Sequence, residues 1–174
     1  MNEPNKRSLL KTIGKVFLFG TVAAFGQVAQ AGEAPSPYVM TVISDQAQGG
    51  QLVQGAYGEA IENLTAAKKR YRFAENNNLC VAYTKTNQLP EAERACSAAL
   101  KSSKPLFGLY DVPRKTDYAV ALSNRGVIRA VTGDIERARQ DFQAAIKANR
   151  SLSAAAENLA ILDAKTTETV SALQ

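Results

Sequence analysis

The stretch from Ala119 to Arg150, AVALSNRGVIRAVTGDIERARQDFQAAIKANR, constrains this chain most. Ile135, Ala138, Phe142, Ala145 and Ile146 recur at three- and four-residue steps, which places them on one face of a helix. Leu122, Gly126 and Arg129 mark a second helix upstream. Gly133 and Asp134 lie between the two. Glycine readily takes the left-handed conformation that ends a helix, and aspartate caps the free N–H groups of the next one. Small residues at Gly126 and Ala138 let the two backbones approach closely. The stretch therefore predicts a helix hairpin.

The pattern recurs upstream. Leu79, Cys80 and Tyr83 take the slots of a first helix, and Leu89, Ala92, Cys96, Ala99 and Leu100 those of a second. Further back, GAYGEAIENLTAA, from Gly55 to Ala67, fits a second helix, with Tyr57, Ala60, Leu64 and Ala67 in the apolar slots. After Arg150, Asn158, Leu159 and Ala160 begin another first helix. The motif G-D-I-x-x-A-x-x-x-F-x-x-A-I resembles the tetratricopeptide repeat, a family of helix-turn-helix units of about 34 residues. The resemblance covers Gly55 to Leu162. It implies an all-α fold, a short right-handed superhelical stack of antiparallel helix hairpins.

The expected organisation follows from that pattern. Residues 1–31 read as a signal peptide, residues 32–50 as an extended or irregular segment and 51–174 as the helical domain. Within the domain we expect a half-repeat at 51–72, formed by one helix from about Gln51 to Lys69. A repeat at 73–101, a loop at 102–114, a repeat at 115–150 and a closing helix at 152–171 follow. Met1 to Ala31 has a basic start, an apolar run from Val16 to Phe25 and a small-residue A-Q-A ending at Ala31, the features of a cleavable secretory signal. The run is too short and interrupted for a membrane span of about 20 apolar residues. This style of signal points to a bacterial protein exported to the periplasm; secretion or an uncleaved N-terminal anchor is the alternative. Lys6, Arg7, Lys11 and Lys15 supply much of the net charge of +5, so the remainder is near neutral and gives no reason to expect nucleic acid or, once the signal is removed, a membrane. Pro35 and Pro37 make the next segment extended. Tyr38 to Ile43 reads as a strand or as an apolar tail lying on the helices. Gly49-Gly50 weakens any helix through it.

Cys80 and Cys96 are the only cysteines. They fall on the two arms of one hairpin whose bend lies near Asn87-Gln88, at similar distances from it. A disulfide is the leading expectation; a pair of buried thiols in small-residue slots is the other, and a redox pair is disfavoured because the spacing is not C-x-x-C. The loop carries Phe107 and Tyr110, read either as folding back on the core or as a lip over a groove.

The resemblance also places Asn78, Asn124 and Asn158 at one position of three successive first helices, facing a concave groove. An asparagine side chain both donates and accepts, so it can pair with a peptide backbone of any sequence. The alternative is a default residue held by hydrogen bonds between helices. By the same carry-over the groove is lined by Asn77, Val81, Lys85, Val120, Ser123, Val127, Val131, Glu157 and Ile161. Lys85 is the only cation in that set, so recognition of a terminal carboxylate is not expected. Arg125 and Arg129 stand where the family prefers apolar residues, and ion pairs to Asp111 or Asp117 are expected for them.

Histidine is absent, which removes the usual general base and a common metal ligand. There is no phosphate-binding glycine loop and no G-x-S-x-G. We therefore expect no enzyme, no catalytic residue, no metal and no cofactor. The expected function is a periplasmic interaction module that holds a peptide or protein segment in the groove. The alternative is a structural subunit of an envelope assembly, including a homo-oligomer.

Overall fold

Gly133 takes φ +84°, and the Asp134 side chain accepts a hydrogen bond from the Arg137 N–H. The amide of Asp134 reaches back to the Arg129 carbonyl at 2.8 Å and that of Gly133 to Ala130 at 3.3 Å. Those paired bonds close the last turn of a helix around one left-handed residue. The same closure recurs at Asn87 (φ 57°), with Gln88 bonded to Tyr83 at 2.8 Å, and at Gly55 (φ 81°), with Ala56 bonded to Gln51 at 2.9 Å. One turn chemistry, used three times, folds the chain back on itself.

The computed structural model describes residues 36–66, 72–104 and 112–172. Its seven helices, among those residues, are α1 (Gly49–Val53), α2 (Tyr57–Ala66), α3 (Phe73–Lys85), α4 (Leu89–Ser103), α5 (Val112–Val131), α6 (Ile135–Ala148) and α7 (Ser153–Ser171). Helices α3 and α4 form one hairpin and α5 and α6 the next; α4 packs on α5, and α6 on α7. The first helices of the units, α3, α5 and α7, also touch in sequence. The fold is thus all-helical and of tetratricopeptide type. No described helix is long and apolar enough to cross a membrane.

Three boundaries differ from the sequence reading. The single helix expected from Gln51 to Lys69 is broken, because Gly55 in the left-handed region ends α1 and α2 starts afresh at Tyr57. Helix α1 begins on the glycine pair itself. A Cβ on Gly49 would lie 1.9 Å from the Ile43 carbonyl oxygen, so glycine is needed there for close approach and not for flexibility. The loop expected at 102–114 is shortened from both sides: Ser102 and Ser103 are helical, and α5 starts at Val112 with Pro113 in its first turn, where the missing N–H is harmless. Phe107 and Tyr110, the expected lip, lie outside the described residues, as does the whole of 1–31.

Cys80 and Cys96 are joined across the α3–α4 hairpin, with a Cα–Cα distance of 5.0 Å and a sequence separation of 16. Closing a loop of that size stabilises by about 3 kcal/mol in the chain-entropy model. In the next hairpin the corresponding close packing is Gly126 against Phe142, which is wholly buried. A Cβ on Gly126 would fall 2.6 Å from the Phe142 ring. Alanine normally favours a helix interior over glycine by about 1 kcal/mol. Here the ring has nowhere to go, so Gly126→Ala should lower stability by about 1–3 kcal/mol, measured by urea unfolding.

Candidate functional site

The three asparagines expected to line the groove are wholly buried, and each holds the main chain of an extended segment. The Val39 N–H donates to Asn158 Oδ1 at 2.7 Å, and Asn158 Nδ2 donates to the Val39 carbonyl at 2.8 Å. Thr41 makes the same pair with Asn124, at 2.8 and 2.9 Å. Ile43 makes it with Asn78, at 2.9 Å in both directions. Side-chain amides on the first helices of three successive units, α3, α5 and α7, thus grip every second residue of one strap, Tyr38 to Ile43. The strap runs from α7 towards α3, against the order of the helices. The trough that the family resemblance reserves for a peptide partner holds this chain's own residues.

The remaining contacts fix its position. Asn77, also fully buried, donates to the Thr41 carbonyl at 2.9 Å and accepts from Asn124 Nδ2 at 2.9 Å. This asparagine–asparagine bond ties α3 to α5, a hydrogen bond between helices of the kind the alternative reading of the ladder expects. Asn78 Nδ2 lies within reach of the Gln46 and Ala47 carbonyls as well, at 3.1 and 2.9 Å, and so closes the turn that leads from the strap into α1.

An extended chain points successive side chains to opposite sides. Tyr38 is buried against Val127, Ala138, Phe142 and Leu162, with its ring 6.3 Å from that of Phe142. Met40 packs on both the α3–α4 and the α5–α7 clusters, and Val42 on Leu52, Ala60 and Ala82. Val39, between them, is 41% exposed. Burial raises the Tyr38 hydroxyl above its ordinary value of 10.0. Lys165 Nζ lies 5.6 Å from the centre of its ring, a cation on an aromatic face.

The other expected lining residues divide. Val81 and Val127 are buried, Ile161 is half-buried against the Tyr38 cluster, and Lys85 and Val131 are exposed. Ser123 is wholly buried, and its Oγ has no hydrogen-bond partner among the described residues. For Arg125 and Arg129 the expected partners were Asp111, which lies outside the described residues, and Asp117; the partner found is a third acid. Both hold Asp141 of α6: Arg125 through Nε at 2.8 Å and Nη2 at 2.7 Å, Arg129 through Nη1 at 2.7 Å. Asp141 lies one helical turn from Ala138 and Ala145 on the packed face of α6. Its hydrogen bonds raise the Arg125 pKa further. The cluster joins the two arms of one hairpin.

The role of Tyr38 to Ile43 as the ladder's partner was missing from the sequence reading, although the signal was present. Y-V-M-T-V-I is a short β-branched and aromatic run suited to an extended chain, and three asparagines at one slot can pair with the main chain of such a segment.

Comparison with known proteins shows the fold. The second TPR domain of human RPAP3, solved by NMR in complex with the HSP70 peptide SGPTIEEVD, superposes with a TM-score of 0.54 at 24% identity, over 69% of this chain and 92% of that domain. The first TPR of Spaghetti (RPAP3), bound to the HSP90 peptide SRMEEVD, gives 0.56 at 22% identity, over 72% of this chain and 97% of that one. No family model and no curated protein sequence matches the chain.

Two outcomes follow. Asn124→Asp keeps the shape but turns a donor towards the Thr41 carbonyl into a carboxylate. Its proton is retained in the fold more tightly than in the unfolded chain, so stability should fall as pH rises above about 4, reaching a loss of about 2 kcal/mol or more at neutral pH; acid and neutral urea titrations measure this. For Tyr38 the folded value likewise lies above the unfolded one. The stabilisation is intact below the ordinary phenol value and is lost as pH rises through the folded one. Tyr38→Phe should abolish that alkaline loosening, seen in near-ultraviolet circular dichroism.

Proposed function

We propose that this chain is an exported, periplasmic interaction module of tetratricopeptide type, which holds an extended peptide or protein segment in the trough formed by α3, α5 and α7. One observation carries the reading: three asparagines, one per unit, pair with both main-chain groups of alternate residues in an extended segment. That arrangement holds backbone without regard to sequence. Both similar solved domains are described with a bound peptide, which supports a peptide partner here. The basic, apolar and small-residue pattern of 1–31 supports export, and the disulfide suits an oxidising compartment.

A second reading is favoured by the burial of Tyr38. A permanently filled trough would leave the outer helices to build a larger envelope assembly. Photo-reactive residues at Val131 and Lys85, both exposed, separate the two in living cells. A partner in the trough gives a defined adduct that disappears with Asn124→Ala. An adduct untouched by that substitution, or none at all, favours the structural subunit.

A further inference from the structure

Among the described residues the strap is the segment that lies in the trough, so its contacts describe what the trough accepts. The asparagines touch only main-chain atoms, and they exclude proline at the three gripped positions because each N–H is used. The filter lies in the side chains between the grips. An aromatic ring enters the space bounded by Val127, Phe142 and Leu162. Two residues on, unbranched Met40 spans two clusters, and two further on Val42 meets Leu52 and Ala82. Among the described residues, every helix side chain that holds the strap main chain is an asparagine, so the grip itself carries no charge.

The strap is also an imperfect occupant. Its connection to α1 forces Ala47 and Gln48 to φ 46° and 56°, a region that residues other than glycine seldom enter. A segment arriving from elsewhere would not need the turn at 44–48.

We infer that the partner of this trough is an uncharged, extended segment of another protein, running from α7 towards α3 with an aromatic side chain seated on Phe142, and that Tyr38–Ile43 is a stand-in held in cis which the partner displaces. The inference rests on the reading of the trough as a partner site and names the partner's chemistry. A short tether holds the strap at a local concentration of about a millimolar. A partner that fits no better than the strap is therefore excluded at ordinary concentrations.

The test uses the full chain and a fluorescent synthetic peptide of sequence SPYVMTVISD, residues 36–45. Titrated into the Tyr38→Ala/Met40→Ala variant, the peptide should bind at least about tenfold tighter than to the wild type. Adding Asn124→Ala to the variant should remove that gain, as should replacing the peptide's tyrosine by alanine. Binding should persist in high salt, because no ion pair is involved. A helical variant that binds no better than the wild type overturns the inference, as does binding indifferent to Asn124→Ala. Strap exchange between wild-type copies, seen as a dimer in light scattering, also overturns it, because a second copy would then be the partner. Hydrogen exchange on the wild type needs no variant. The amides of Val39, Thr41 and Ile43 should exchange faster than those in the middle of α5; equal protection means that the strap leaves only when the whole domain unfolds, and rejects displacement. Failure here with the trough adducts retained in cells rejects this partner chemistry alone, whereas loss of those adducts rejects the partner site.

Discussion

The structure depends on one chemical likeness: the side-chain amide of asparagine is a copy of a peptide group. One residue presents a donor and an acceptor at peptide spacing, so it can take the N–H and C=O of a single extended residue as a neighbouring strand would. Buried polar groups must be paired, since leaving one unmet costs about 1–3 kcal/mol. Asn78, Asn124 and Asn158 are wholly buried, and the strap meets them. The obligation is mutual. Without the strap the amides would turn to water in an open trough at little cost, but the apolar wall around Phe142 and Leu162 would be exposed as well. Removing the strap is therefore opposed chiefly by the side chains of Tyr38, Met40 and Val42, and its register is set by the amides.

The helical part was legible because its signals are local. Gly133-Asp134 states a turn and a cap within two residues, and the stripe through Phe142 states a face. Cys80 and Cys96 were legible as a facing pair because a hairpin with a known bend places them level, and the structure joins them. Gly55 was read as part of a helix because only its φ of 81° distinguishes a break from a weak helical glycine. Gly49 was read as a weakness, whereas it is a point of backbone contact with Ile43 that lies six residues away in sequence. Asp141 was missed as the partner of Arg125 and Arg129 because the apolar stripe drew attention to Phe142 and an acid beside it was read as outside the packed face. The ladder was legible as a device, but its occupant was not. The contact between Val39 and Asn158 joins opposite ends of the domain, and no local pattern announces a pairing over that separation.

The two periods in play explain why a single register is possible. The strap repeats every two residues and the first helices repeat once per unit, and both are satisfied only if each unit takes one alternate residue. A slip by one residue would turn Tyr38 outward and bring Val39 to the Phe142 wall. It would also present the asparagines with the main-chain groups of Tyr38, Met40 and Val42, which point away from them in an extended chain. A slip by two would keep the faces but present an end unit with Pro37, which has no N–H, or with Asp45 of the following turn. Proline marks where the freedom ends. Pro37 lies just ahead of Tyr38, where no N–H is required by the ladder, and from Val39 onward every second N–H is used. The segment is thus stiff where it enters the trough and fully hydrogen-bonding once inside it, which is the order a segment needs if it is to be held by its main chain and selected by its side chains.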